Sequence, residues 1–127
     1  MEVFKAVQTV LAIRTYRPEA LPPEIVHRIL EAGRLTASSM NLQPWHFIAV
    51  EDRQDLEALG ELAKTGPYIK KAGMAVAVAI KPTKYAESDA SRAIQSMILT
   101  AWEAGVASKL GGFLRPREGE KILEHSG

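Results

Sequence analysis

The hydrophobic patterning predicts a layered α/β or α+β domain, a single domain over residues 1–127. Three observations carry this expectation. Four segments repeat apolar residues every three to four positions, the spacing of one helix face. Two short apolar runs without charge lie between them and read as strands. The chain has 127 residues, 46% hydrophobic and 24% charged, which suits one core and not two. The predicted order is helix, helix, strand, helix, strand, helix, a layered arrangement. Pattern alone leaves open whether the two strands are neighbours and which way they run.

The first helix spans residues 2–13, with Val3, Phe4, Val7, Val10 and Leu11 at helical spacing. Pro18 ends this region by biasing Arg17 away from helical backbone. Pro22 and Pro23 suit the first turn of a second helix, where a missing N–H costs nothing. Ile25, Ile29, Leu30 and Ala32 share a face of it, and it ends near Leu35. Residues 36–44 are small and polar and predict a loop with special backbone geometry. Residues 45–50 are the first strand. Asp52 caps a third helix, with Asp55 three residues on and Leu56, Leu59 and Leu62 inward. Gly66 and Pro67 break it, and residues 68–71 form a short helical turn. Residues 74–80 alternate Val and Ala, which predicts a strand covered on both faces. Ser88 or Asp89 caps the longest helix, which runs to Ala104 and stops at Gly105. Residues 106–113 predict a third short strand and turn, and 116–123 a last weak helix.

Charge and composition exclude several classes. Lys and Arg total 16 against 15 Asp and Glu, a net charge of +1. A dedicated nucleic-acid binder carries a larger, clustered excess. Cysteine is absent, so there is no disulfide framework, thiolate metal site or cysteine nucleophile. Residues 1–5 lack the apolar core of a signal peptide. The longest uncharged apolar run, residues 72–80, falls far short of the roughly 20 residues that cross a bilayer. The expectation is a soluble, cytoplasmic protein with no nucleic-acid or membrane partner.

Neither G-x-G-x-x-G nor G-x-x-x-x-G-K-[ST] occurs, so the two common nucleotide cradles are missing. His27, His46 and His125 show no ligand spacing; His27 reads as a solvated helix residue and His46 as a packed or edge residue. One stretch stands out: Ser38-Ser39-Met40-Asn41-Leu42-Gln43-Pro44-Trp45-His46-Phe47. Two hydroxyls and two carboxamides lie within six residues, between a helix end and a strand. Asn and Gln each pair a donor with an acceptor, which suits a flat heterocycle with alternating N–H and C=O groups, such as an isoalloxazine or pterin. The residue types fit equally a capped turn in which Ser and Asn satisfy helix-end groups.

That stretch resembles the Ser-Ser-x-Asn-x-Gln-Pro-Trp-x-Phe signature of the flavin-dependent nitroreductase family. Ala12-Ile13-Arg14-Thr15-Tyr16 followed by Leu21-Pro22 is similar to the family's N-terminal motif. Gly66-Pro67-Tyr68-Ile69 before residues 72–80 is similar to the segment entering its central strand, and residues 89–97 to its long core helix, ending at Glu103-Ala104-Gly105-Val106. The resemblance covers about residues 3–113. It implies an α+β fold with a central sheet flanked by helices, and a homodimer holding two FMN molecules at the subunit interface. It also implies hydride transfer from NAD(P)H through flavin to a nitro compound, quinone or related acceptor. The cofactor carries that chemistry, so no acid–base side chain is required. By the same resemblance Ser38, Ser39, Asn41 and Gln43 contact flavin, some from the partner subunit. Met40 and Pro44 shape the pocket. Arg14 lies by the flavin pyrimidine or its chain, where a guanidinium would stabilise negative charge. Arg17 is a weaker phosphate candidate, and Lys70 and Lys71 read as a solvated pair.

Two departures are visible. The family commonly reads Arg-Arg-Ser where this chain has Val10-Leu11-Ala12, and those three residues grip the FMN phosphate. Family members also continue with another strand and a C-terminal arm beyond the residues seen here. A flavin- or nucleotide-binding dimer without turnover is therefore a second reading, and a structural fragment with an empty pocket a third. Met40, Trp45, Trp102 and the Ala-rich helix offer apolar surface for a dimer.

Overall fold

The computed structural model describes residues 1–17, 19–63 and 67–110. In chain order its elements are α1 (Val3–Thr9), α2 (Pro23–Arg34), β1 (Trp45–Val50), α3 (Arg53–Leu62), β2 (Ala75–Ile80) and α4 (Ala86–Glu103), with short 3-10 turns at Ser39–Asn41 and Pro67–Lys71. This is an α+β protein. β1 and β2 are neighbours. The Lys81 N–H donates to the Pro44 carbonyl at 2.9 Å, which sets the start of β1 beside the end of β2, so the strands run antiparallel. The chain divides into two compact units, and each strand passes from one to the other.

The first unit comprises Met1–Ile13, Pro22–Phe47 and Val78–Lys109. Pro23 opens α2, where its lost N–H has no helical partner to forgo. Ile29 and Gly33 of α2 are buried, and α2 packs chiefly on α4. The buried residues of α4 are Asp89, Ala93, Met97 and Ala101, one every fourth position. This stripe of mostly small side chains lets the helices approach closely. Gly105 ends α4 with φ +80°, and the Val106 N–H returns to the Ala101 carbonyl at 2.8 Å, a Schellman closure that a Cβ would oppose. The Trp102 indole N–H donates to Thr9 Oγ1 at 3.0 Å and ties α1 to α4.

The second unit contains Arg14–Leu21 and Ile48–Ala77. Asp52 caps α3 as its position predicts, accepting from the N–H groups of Gln54 and Asp55. Val50, Leu56 and Leu59 form a core cluster with Ile48, Ile69 and Ala75 packed against it. Each of the three buried side chains contributes about 1.5–3 kcal/mol relative to exposure. Arg53 donates to the Lys70 carbonyl at 2.5 Å and closes the 3-10 turn onto α3. Tyr16 and Tyr68 meet at a tilt, ring centroids 6.1 Å apart and planes 59° apart. Burial first, and Tyr68 second, push the Tyr16 phenol above its ordinary pKa.

Gly73 sits against the Glu19 carbonyl oxygen, inside the space a Cβ would need. A backbone oxygen cannot swing aside. Gly73→Ala should therefore lower stability by about 1–2 kcal/mol. Chemical denaturation reads this as a lower midpoint at unchanged slope, and an unchanged midpoint would refute the contact.

Four expectations change. The first helix stops at Thr9, because residues 12–13 are extended: Ala12 bridges Ser108 in parallel, and the Ile13 N–H donates to the Ser108 carbonyl at 3.0 Å. Up to Leu110, the third strand is reduced to that bridge; residues 111–123, with the rest of that strand and the last helix, lie outside the described residues, as does Gly66. β2 is half-buried with Ala79 exposed, and not covered on both faces. Neither Ser88 nor Asp89 caps α4. The Thr83 carbonyl accepts from Ala86 and the Thr83 hydroxyl from the Tyr85 N–H, which starts the helix at Ala86. Among the described residues no helix is long and apolar enough to cross a membrane.

Candidate functional site

After α2 the chain makes a last bond from Thr36 Oγ1 to the Ala32 carbonyl, 2.8 Å, and turns sharply. Ser38 is extended. The Asn41 N–H then reaches the Ser38 carbonyl at 3.0 Å, and the Leu42 N–H the Ser39 carbonyl at 3.2 Å. Met40, Asn41 and Gln43 all have positive φ, 54°, 53° and 49°. Left-handed backbone costs an L-residue roughly 1–2 kcal/mol, less for Asn. Three such residues in four positions form an unusual concentration of strain.

The sequence supplies its own clamps. Ser38 Oγ accepts from the Gln43 N–H at 2.9 Å and closes the segment on itself. Asp89 Oδ1 accepts from both the backbone N–H and the hydroxyl of Ser39, at 3.0 and 3.2 Å. Pro44 is buried, and its carbonyl carries the ladder bond from Lys81. What projects outward is Met40, 81% exposed, with Asn41, Leu42 and Gln43. Gln43 Nε2 donates to Asn41 Oδ1 at 3.0 Å, which aligns the two amides. Among the described residues this leaves the Asn41 amide N–H groups and the Gln43 carbonyl oxygen without partners. The exposed edge thus offers donors, an acceptor and a thioether. It matches an imide-like heterocycle edge better than it matches a phosphate, which would call for cations.

Ser38, Ser39, Met40, Asn41 and Gln43 are therefore gathered in one turn of the first unit. Arg14 is exposed and belongs to the second unit. By sequence Asp89 reads as a helix cap. A charged residue one turn before Ala93, Met97 and Ala101 on the buried stripe was the available signal.

Beside the turn, Gln43 borders an open depression of about 430 Å³ that also takes in His27, Glu31, Arg34, Trp45 and His46. Trp45 and Phe47 stack there at 6.0 Å between ring centroids, 26° between planes. Arg34 Nε donates to both Glu31 oxygens at 2.7 Å. That bond holds the Glu31 carboxyl below, and the Arg34 guanidinium above, its ordinary pKa. Arg34 is thus already matched in charge. His27 and His46 are both exposed. Among the described residues no cluster of three His, Asp or Glu could hold a metal.

A profile of the nitroreductase family matches residues 11–81. The chain is 34% identical over 123 residues to a protein of Archaeoglobus fulgidus, covering 92% of this chain and 70% of that one. It is 32% identical over 113 residues to one of Methanothermobacter thermautotrophicus, covering 85% of this chain. Both carry the name "Putative NADH dehydrogenase/NAD(P)H nitroreductase". The match spans only 59% of the length of the second relative. Among solved structures, a nitroreductase of Bacteroides fragilis with bound FMN superposes with a TM-score of 0.84 at 28% identity, covering 100% of this chain and 80% of that one. The matched segment is more than half of the chain and includes the whole left-handed turn, so the chain belongs to the nitroreductase family.

Proposed function

We propose that the chain is the FMN-binding part of an oxidoreductase that passes a hydride from NAD(P)H through flavin to a nitroaromatic, quinone or related acceptor. The observation that carries this reading is the exposed amide edge of Asn41 and Gln43 on a strained, clamped turn. The solved relative with bound FMN and the relatives' names support it. Bound FMN would supply the redox chemistry itself.

The chain's own residues then bind and orient. Asn41 would donate to a carbonyl of the bound group and Gln43 would accept from an N–H of it. Met40 would supply an apolar thioether beside them, and Arg14, by the family resemblance, would stabilise negative charge. The protein acts as a cytoplasmic homodimer. Val3, Phe4, Val7 and Leu11 stand 56–77% exposed, a stripe on and just beyond α1 that a second copy would cover. A dimer that binds flavin without turnover is the second reading. It rests on apolar Val10-Leu11-Ala12 in the phosphate-gripping register, where Leu11 is exposed and Ala12 pairs with Ser108.

The test is FMN titration of the purified chain. At an FMN concentration 100 times its Kd, binding should stabilise the fold by about 2.7 kcal/mol. That corresponds to a rise in melting temperature on the order of 10 °C. NADH or NADPH should then be oxidised when a nitroaromatic is added. An unchanged melt and unquenched FMN fluorescence would refute the flavin reading. Binding without NAD(P)H oxidation would favour the second.

A further inference from the structure

We propose that Asp89 is a positioning residue of the cofactor site: its buried carboxylate, mounted on α4, locks Ser39 and so holds residues 40–43 in their left-handed, ligand-facing shape. The proposal rests on the FMN reading above and assigns a division of labour within that site.

Asp89 is 0% exposed. Its Oδ1 takes two hydrogen bonds from a single residue 50 positions away, the N–H and the hydroxyl of Ser39. A serine hydroxyl has one proton to donate. With that proton held by Asp89, Ser39 has no O–H donor left for a cofactor. The Ser38 oxygen accepts from the Gln43 N–H within the turn and keeps its own O–H to donate. Ser39 and Asp89 shape the loop, and Ser38, Asn41 and Gln43 keep groups that can read the ligand.

Stability alone does not account for the carboxylate. Its Oδ2 is buried and accepts no hydrogen bond among the described residues. The nearest cation, Arg92 Nη1, lies 3.9 Å from Oδ1 and is half-exposed. Asp89 continues the Ala93, Met97, Ala101 stripe by one turn, where an alanine would pack without desolvating a charge. A buried charge with incomplete compensation, aimed at the one segment with three left-handed residues among those described, is what a positioning device requires.

The expected energetics follow from population. If the turn relaxes when unclamped, apparent affinity falls in proportion to the fraction still competent to bind. Asp89→Ala should therefore weaken FMN binding by roughly 10–30-fold. Asp89→Asn keeps an acceptor for both Ser39 donors and should stay within about threefold. Ser39→Ala removes one of the two bonds and should fall between them. In the Asp89→Ala background it should add nothing, because the pair acts as one unit.

The experiment uses the full chain and has two arms. FMN affinity is read by fluorescence quenching. Amide hydrogen exchange across residues 37–43 is read without FMN. Faster exchange confined to that segment in Asp89→Ala, restored in Asp89→Asn, together with the matching order of affinities, supports the proposal. Unchanged exchange in the turn would overturn it, and so would loosened exchange with undiminished affinity. General loosening of α2 and α4 together would show Asp89 to be structural only, provided Ser39→Ala also binds FMN as the wild type does. Failure of the wild-type chain to bind FMN would refute the functional reading and the cofactor half of this proposal. The exchange arm would still decide whether Asp89 holds the turn.

Discussion

Replacing Asn41 and Gln43 together with Ala is expected to weaken FMN binding by about 100-fold, close to 3 kcal/mol. Each amide contributes about 0.5–1.5 kcal/mol as a hydrogen-bond partner, and more when its loss leaves a desolvated ligand group unpaired. The single variants should cost about 30-fold each, so that the double variant falls short of their product. The two side chains bond to each other at 3.0 Å, so removing either lets the other drift. Asn41 also has φ 53°, which alanine tolerates less well. Asn41→Gly separates the two effects. Glycine accepts the backbone angle and lacks the amide, so it should bind as weakly as Asn41→Ala if recognition is the cause. Fluorescence titration with far-UV circular dichroism as the folding control reads all four. Wild-type affinity in both Asn41→Gly and Gln43→Ala would remove these amides from the site.

Local chemistry made most of the fold legible. Pro23 opens α2, Asp52 caps α3 and Gly105 closes α4 because each choice is decided within one turn of chain. Strand β1 has the predicted bounds, since an apolar run between Pro44 and charged Glu51 leaves little alternative. The misplaced boundaries share one cause. The end of α1 depends on Ser108, almost a hundred residues away, and Thr83 in the preceding loop, rather than Ser88 or Asp89, starts α4. For the site, composition identified the turn, and only part of its geometry was readable. Asn41 at positive φ is ordinary, but Met40 and Gln43 carry no local signal for it. Their conformation is imposed by the Ser38 and Ser39 clamps, one of which runs to Asp89. A contact across 50 residues is invisible to periodicity, although a carboxylate on a buried helical stripe was a trace of it.

Converting Phe4 and Val7 to Asp should turn the proposed dimer into a monomer. Helix α1 is built the reverse of an ordinary surface helix. Its small residue, Ala6, faces inward at 5% exposure, while Phe4 and Val7 stand 70% and 56% exposed. Leaving such side chains in water forgoes about 1.5–3 kcal/mol each. In a two-fold interface every residue counts twice, so the double variant removes four apolar anchors and brings four carboxylates together. A rise in the dimer dissociation constant of at least about 10⁴-fold follows, since 1.4 kcal/mol is a factor of ten. The folded unit itself should survive, because neither side chain belongs to its core and the Trp102–Thr9 bond remains. Sedimentation equilibrium at micromolar protein reads the mass, and FMN fluorescence on the same samples reads retention. If the cofactor site borrows side chains from the partner, monomer and loss of flavin should appear together. A wild-type chain that already sediments as a monomer, or a double variant that remains a dimer, would show that this stripe is not where two copies meet.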